Sequence, residues 1–187
     1  KTFDGDDFYF IAEIGHNHQG NLDKAKEMFL VAKKCGASAV KLQKRDNKRL
    51  YTKSFFNEKY DNRNSYAETY GLHREALEFG LQEYKELIKY AKEIDIDFFA
   101  TPFDLPSVDF LNQLNMPAYK IASADLKNTI LQTEIAKIKK PIILSTGGGN
   151  IDDVKRAVNN IKKFTSNIAI LHCTASYPVG LNDMNLN

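Results

Sequence analysis

The chain of 187 residues has little cysteine, no long apolar run and no dominant sign of charge, and each shortage closes off a class of protein. Cys35 and Cys173 are its two cysteines. Two unpatterned thiols make neither a disulfide framework nor a zinc site, and they fit a reducing compartment, so a cytoplasmic location is expected. No stretch approaches the roughly 20 apolar residues of a membrane-spanning helix, and the opening carries Asp4, Asp6 and Asp7 where a secretory signal would be apolar. No membrane partner is expected. Lys and Arg number 26 against 24 Asp and Glu, without a basic run to track a phosphate backbone, which argues against nucleic acid as the main partner. A small-molecule ligand is the reading left standing.

What is present is a chain with 43% hydrophobic residues, enough for one sizeable core. Six short apolar runs alternate with helix-patterned segments: Phe8 to Ile14, Ser38 to Gln43, Asp97 to Thr101, Ala118 to Ala122, Pro141 to Leu144 and Ile168 to Leu171. Strands so uniformly apolar are covered on both faces. The segments between them carry apolar stripes, such as Leu22, Ala25, Phe29 and Ala32, or Val154, Ala157, Val158 and Ile161. Strict βα alternation permits a doubly wound sheet or a closed (β/α)8 barrel. The loop after the first strand, His16-Asn17-His18-Gln19-Gly20, lacks a dinucleotide-binding glycine fingerprint, which favours the α/β (β/α)8 TIM barrel. A full barrel needs roughly 200 residues or more. With only about six βα units, no initiator Met and a stop at Asn187, residues 1–187 are expected to be an incomplete barrel domain of a longer chain.

One connection breaks the pattern. Lys44 to Gly80 shows no clear period and far exceeds the loop median of about 4–6 residues. Its Tyr51, Lys53, Tyr60, Arg63, Asn64, Tyr66, Tyr70, His73 and Arg74 suit a sugar or an anion, or equally a surface excursion packed on its own aromatics.

Each apolar run ends in a polar group: Glu13, Lys41, Thr101, Lys120 with Ser123, Ser145 with Thr146, and His172 with Thr174. Parallel strands point their carboxyl ends at one face, so these tips build one pocket. Lys41 and Lys120 lie inside apolar runs, where an unpaired ammonium is costly, and they call for an anion. A substrate carboxylate or phosphate supplies one; internal pairing with Glu13 or Asp125 is the structural alternative, and a Schiff-base lysine at either position a third reading. Short hydroxyls at three successive tips and the run Gly147-Gly148-Gly149 fit a phosphate site. Glu13 is a candidate general base or water holder. His16 and His18 have the His-x-His spacing of amidohydrolase-type metal sites, but the fifth strand ends in Leu144-Ser145-Thr146-Gly147 where such an enzyme wants a histidine.

Taken together, Ala12-Glu13-Ile14-Gly15 with Asn17-His18-Gln19-Gly20, Val40-Lys41-Leu42-Gln43, Ala100-Thr101-Pro102-Phe103, Pro117 to Ser123, Leu144 to Gly147, and Leu171-His172-Cys173-Thr174 with Tyr177-Pro178 follow one order. The chain resembles the N-acetylneuraminate (sialic acid) synthase family, including the legionaminic and pseudaminic acid synthases, over essentially its whole length. The resemblance implies a transferase that condenses phosphoenolpyruvate with an N-acylated hexosamine such as N-acetylmannosamine. The products are a nine-carbon 2-keto acid and phosphate, formed with C–O bond cleavage. It further implies Glu13, Lys120 and Asp125 as catalytic residues and Lys41, Gln43, Thr101, Ser123, Ser145 and Tyr177 as substrate-binding residues. A divalent cation, Mn2+ or Mg2+, is implied with ligands beyond Asn187. So are a C-terminal antifreeze-like domain, a homodimer, and inactivity of this chain by itself. Ala175, where neuraminate-making members have asparagine, and Asp125, where many have glutamate, leave the acceptor sugar open.

Overall fold

A computed structural model describes residues 8–186, so the acidic opening at Asp4, Asp6 and Asp7 lies outside the described residues. Six strands, β1 (Ile11–Gly15), β2 (Ala39–Lys44), β3 (Asp97–Pro102), β4 (Tyr119–Ile121), β5 (Ile142–Ser145) and β6 (Ile168–Leu171), form one sheet in chain order. All neighbouring pairs are parallel. This order decides between the two architectures. A doubly wound sheet reverses direction at a switch point, whereas here each strand pairs only with its sequence neighbours, as in a (β/α) barrel. Six consecutive barrel strands, joined by five crossover helices, are therefore present among the described residues, in agreement with the expected fold class.

The crossover helices form where the apolar stripes predict them. In α1 (Leu22–Lys34) the Asn21 side chain caps the first turn by accepting from Lys24 N, and Ala25, Phe29 and Ala32 are buried. The other crossovers are α5 (Leu81–Glu93), α6 (Leu105–Gln113), α7 (Thr129–Lys137) and α8 (Ile151–Lys162), each with its own buried stripe. These stripes meet Val40, Leu42, Phe98, Ala100, Tyr119, Ile121, Ile142 and Leu144 in one continuous core. Alternation along a strand then sends Lys41, between Val40 and Leu42, and Lys120, between Tyr119 and Ile121, to the opposite face.

Most strand bounds differ from the sequence reading by a residue, as at β2 and β5, and two of the differences have a visible cause. The first strand begins at Ile11 rather than Phe8: Phe8 and Phe10 are 99% and 67% exposed, although the Phe10 carbonyl still accepts from the Ser38 and Ala39 amides. The fourth spans Tyr119–Ile121 rather than Ala118 to Ala122, because the chain turns at once into a 3-10 turn over Ser123–Asp125.

The long excursion is not structureless. It contains three short helices, α2 (Asn47–Leu50), α3 (Lys53–Phe56) and α4 (Tyr70–Ala76), whose caps are side chains of Asp46, Thr52 and Thr69. Helices of one or two turns carry too weak a period to read. The aromatics pack on one another, with Phe55 and Tyr70 rings 4.7 Å apart, Tyr51 and Tyr70 5.2 Å, and Tyr60 and His73 4.5 Å. The self-packed excursion, one of the two readings open at the sequence level, describes this cluster. Its far end is pinned against the first βα loop: a Cβ at Gly20, which has φ +72°, would lie 2.3 Å from the Ala76 carbonyl oxygen. Only glycine fits there.

Candidate functional site

The carboxyl ends of the strands enclose a cavity of about 990 Å³. Eight of the nine predicted site residues line it: Glu13, Lys41, Gln43, Thr101, Lys120, Ser123, Ser145 and Tyr177. Asp125 does not. It sits on the 3-10 turn with its carboxylate accepting from Asn128 Nδ2 at 3.1 Å, and burial raises its pKa above the ordinary value.

The two lysines are buried, at 3% and 7% exposure, and their surroundings differ. Glu13 and Lys41 are register partners on β1 and β2, and Lys41 Nζ lies 2.9 Å from Glu13 Oε2. The same ammonium donates to Thr101 Oγ1 at 2.8 Å. Lys120 Nζ donates to the Ile121 carbonyl at 2.9 Å and to Ser145 Oγ, and among the described residues no carboxylate pairs with it. Burial first, then the charge of Lys41, pushes Lys120 down to about 8. Burial also lowers Lys41, and there Glu13 opposes the shift. The expected structural pairing thus holds for Lys41 and fails for Lys120.

The hydroxyls share one arrangement. Thr101 Oγ1 accepts from Lys41, Ser145 Oγ accepts from Lys120, and Ser123 Oγ accepts from the Gly147 amide at 3.1 Å. A hydroxyl whose lone pair is engaged by a fixed donor has its own proton free to donate. Three hydroxyl donors and two ammonium groups on one concave wall suit a small multiply charged anion. Gly147 fits between these elements because a Cβ there would stand 3.0 Å from Ser123 Oγ and 3.3 Å from Ala175 N.

Three residues expected at strand tips turn elsewhere. Thr146 Oγ1 donates to the Leu171 carbonyl, His172 Nε2 lies 2.7 Å from the Met184 carbonyl, and Thr174 Oγ1 donates to the Asp183 carbonyl. Thr146 ties the loop after β5 to the last strand, His172 and Thr174 tie the chain just beyond that strand to the Asp183–Met184 segment, and none lines the cavity.

Sequence reasoning missed the buried network behind β1 and β2. Glu78 receives Lys44 Nζ at 3.1 Å on one oxygen and faces His16 Nε2 at 3.2 Å on the other. Burial pushes this carboxyl up, but contacts with His16 and Lys44 together hold it below its ordinary value. Arg74 Nη2 meets His16 Nδ1 at 3.0 Å. Because a guanidinium can only donate, Nδ1 is the acceptor and the ring proton sits on Nε2, facing Glu78. His18 stacks on Phe79 at 4.1 Å, its Nδ1 accepts from the Gly20 amide, and burial lowers it to about 4. Both nitrogens of His16 are engaged and His18 is packed away, so the metal-hydrolase arrangement does not form. Nothing in the sequence marked Glu78, which lies at the end of the aperiodic excursion.

Among the described residues no three His, Cys, Asp or Glu side chains gather as metal ligands, so these residues do not by themselves fit the divalent cation that the resemblance implies. No helix among them is long and apolar enough to cross a membrane.

A sequentially ordered βα sheet whose carboxyl ends enclose a cavity lined by two lysines and three hydroxyls is part of a barrel of the kind that binds its ligands in the loops above the strands. The family model described as NeuB matches residues 28–187, and the chain belongs to the NeuB family. N-acetylneuraminate-9-phosphate synthase of Homo sapiens is 38% identical over 178 residues, 95% of this chain and 50% of that protein. N,N'-diacetyllegionaminic acid synthase of Campylobacter jejuni is 39% identical over 180 residues, 94% of this chain and 54% of that one. The crystal structure of N-acetylneuraminic acid synthetase from Leptospira borgpetersenii in complex with citrate superposes with a TM-score of 0.81 at 30% identity. It matches 95% of this chain and 57% of that one. The chain spans about half the length of the curated relatives it matches.

Proposed function

We propose that the protein condenses phosphoenolpyruvate with an N-acylated hexosamine to give a sialic-acid-type 2-keto acid and phosphate. The observation that carries this reading is Lys120, a buried cation with no carboxylate partner among the described residues, set among hydroxyls whose protons are free to point at a ligand. Lys41, Lys120, Thr101, Ser123 and Ser145 bind the phosphate and carboxylate of phosphoenolpyruvate, and Gln43 and Tyr177 line the space for the sugar. C3 of the enol attacks the aldehyde carbon, forming the new C–C bond while the aldehyde oxygen takes a proton. Water adds to C2, with Glu13 accepting its proton. The C2–O bond then breaks, phosphate departs on the lysines, and the C2 hydroxyl becomes the ketone. Asp125, off the cavity wall, is given no step. The described residues assemble no metal site, so no step is routed through a divalent ion.

Family membership and the relatives' activities support this reading at the level of sialic-acid-type synthesis. The names divide on the acceptor: one relative makes a 9-phosphate and another an unphosphorylated legionaminic acid. The test is phosphoenolpyruvate labelled with oxygen-18 in the bridging position, given to the intact protein with acceptor and a divalent ion. The label is expected in the released phosphate; its retention in the keto acid would sink the C–O cleavage route. A Schiff-base aldolase is the second reading, favoured by the lowered pKa of Lys120. Borohydride with pyruvate leaves a mass adduct on a lysine if that reading is right and none under condensation.

A further inference from the structure

Lys41 and Lys120 are both buried in the cavity wall, and only Lys41 is held charged from within the fold. Its ammonium lies 2.9 Å from Glu13 Oε2 and donates to Thr101 Oγ1, so loss of its proton would leave a carboxylate facing a neutral amine. Lys120 has no such tie. Its two acceptors, the Ile121 carbonyl and Ser145 Oγ, are neutral. An ammonium that sheds one proton of three keeps two N–H donors, enough for both, and gains a lone pair that neither engages.

The charged or titratable groups that act on Lys120 are Lys41 on β2, Glu13 on β1 and Cys173 just beyond β6. Burial and Lys41 favour the amine, Glu13 and Cys173 favour the ammonium, and the balance leaves its pKa at about 8. A desolvated lysine beside a second cation is an activated nucleophile. The groups that suit a phosphate, the hydroxyls of Thr101, Ser123 and Ser145 and the ammonium of Lys41, line the same cavity. An acyl phosphate uses both features. Like phosphoenolpyruvate it carries its phosphate on a trigonal carbon through one oxygen, but that carbon is an electrophilic carbonyl rather than an enol carbon.

We propose that Lys120 is a self-acylation site, at which an acyl phosphate seated in the phosphoenolpyruvate position transfers its acyl group to Nζ and silences the cavity. This inference rests on the condensation reading, which sets a phosphate of this kind beside Lys120. Nζ attacks the carbonyl carbon and forms the C–N bond. The C–O bond to phosphate breaks, its electron pair goes to the phosphate, and the proton shed by nitrogen leaves with it. An amide and inorganic phosphate result, and the cation that would hold the next phosphoenolpyruvate is gone. Pyruvate, which has no phosphate to seat it, does not share this route.

The test treats the intact protein with acetyl phosphate near pH 8 and follows acetyl-lysine by peptide mass spectrometry. About half of Lys120 is then amine, against roughly 0.4% of an ordinary lysine. With its lower basicity allowed for, Lys120 should acetylate about 10-fold faster or more than the exposed Lys89. Phosphoenolpyruvate at about 100 times its Kd, measured by calorimetry, should slow Lys120 about 100-fold and leave Lys89 unchanged. Glu13→Gln, which frees Lys41 of its carboxylate, should speed acetylation of Lys41 by about 10-fold, a readout that needs no change at Lys120. Phosphoenolpyruvate affinity should fall in step with amide formed at Lys120. Lys120 no faster than Lys89, labelling indifferent to bound phosphoenolpyruvate, or acetyl found on Cys173 as a hydroxylamine-labile thioester overturns the acylation and leaves condensation standing. Phosphoenolpyruvate that gives no binding signal brings down the condensation reading and this one with it.

Discussion

The two halves of the cavity wall solve the same electrostatic problem differently. On the β1–β2 side, Lys41 is compensated from within by Glu13 at 2.9 Å, and behind that wall the half-buried Lys44 is compensated by Glu78 at 3.1 Å. On the β4–β5 side, Lys120 has a carbonyl and a hydroxyl but no carboxylate among the described residues. The first half is nearly complete as folded, and in the proposed function the second is completed by the bound anion. Comparison of the halves therefore assigns the greater dependence on bound anion to Lys120, even though Lys41 is the more buried of the two.

The sharpest way to break that contrast is to delete each charge. Lys120→Ala should weaken phosphoenolpyruvate binding by about 100-fold, and Lys41→Ala by about 10-fold, because the orphaned Glu13, being half exposed, resolvates. Calorimetric titration of the intact protein measures both, and equal losses would erase the distinction. A pH series probes the same asymmetry without mutation. Lys120 must be protonated to hold the anion and its pKa is about 8 without ligand, so affinity is full below that value and falls as pH rises through it. Between pH 7.5 and 9.5 a loss of about 10-fold is expected, with proton uptake on binding near pH 8, and Lys120→Ala should flatten the profile. The folding linkage has the opposite sign. A lysine whose folded pKa is below its unfolded value makes the folded state lose protons first, so ligand-free stability rises between about pH 8 and 10.

Smaller effects refine the picture. Ser145→Ala removes the hydroxyl partner of Lys120 and should cost about 5-fold in phosphoenolpyruvate affinity, read as KM with kcat little changed. Glu13→Gln should act in the other direction on binding. Releasing Lys41 from its internal partner should tighten phosphoenolpyruvate by about 3-fold while turnover falls for want of a base. Looser binding in this variant would mean that Glu13 positions Lys41 rather than competing for it.

Much of this wall is legible in the sequence because a charge embedded in an apolar strand has few explanations. Lys41 and Lys120 announce themselves by their neighbours, and strand alternation alone sends them to the face away from the helices. Which lysine is internally paired was not legible, since it depends on the lateral register that sets Glu13 opposite Lys41. Glu78 escaped notice for a related reason, and Arg74 stood out only as one of many polar side chains of the excursion. Their meaning lies in contacts between an aperiodic excursion and the first βα loop, residues far apart in the chain with no repeating pattern to link them. His172 and Thr174 were placed in the pocket because they follow an apolar run, but the chain beyond β6 offers carbonyls that engage both side chains.

The strictly consecutive strand order also bears on how the molecule is made. Because no later strand is inserted between two earlier ones, each βα unit can dock on an edge already in place as the nascent polypeptide leaves the ribosome. Glu13 and Lys41 come from the first two units, so the anion trap begins to assemble at the amino-terminal end well before Lys120 has been synthesised.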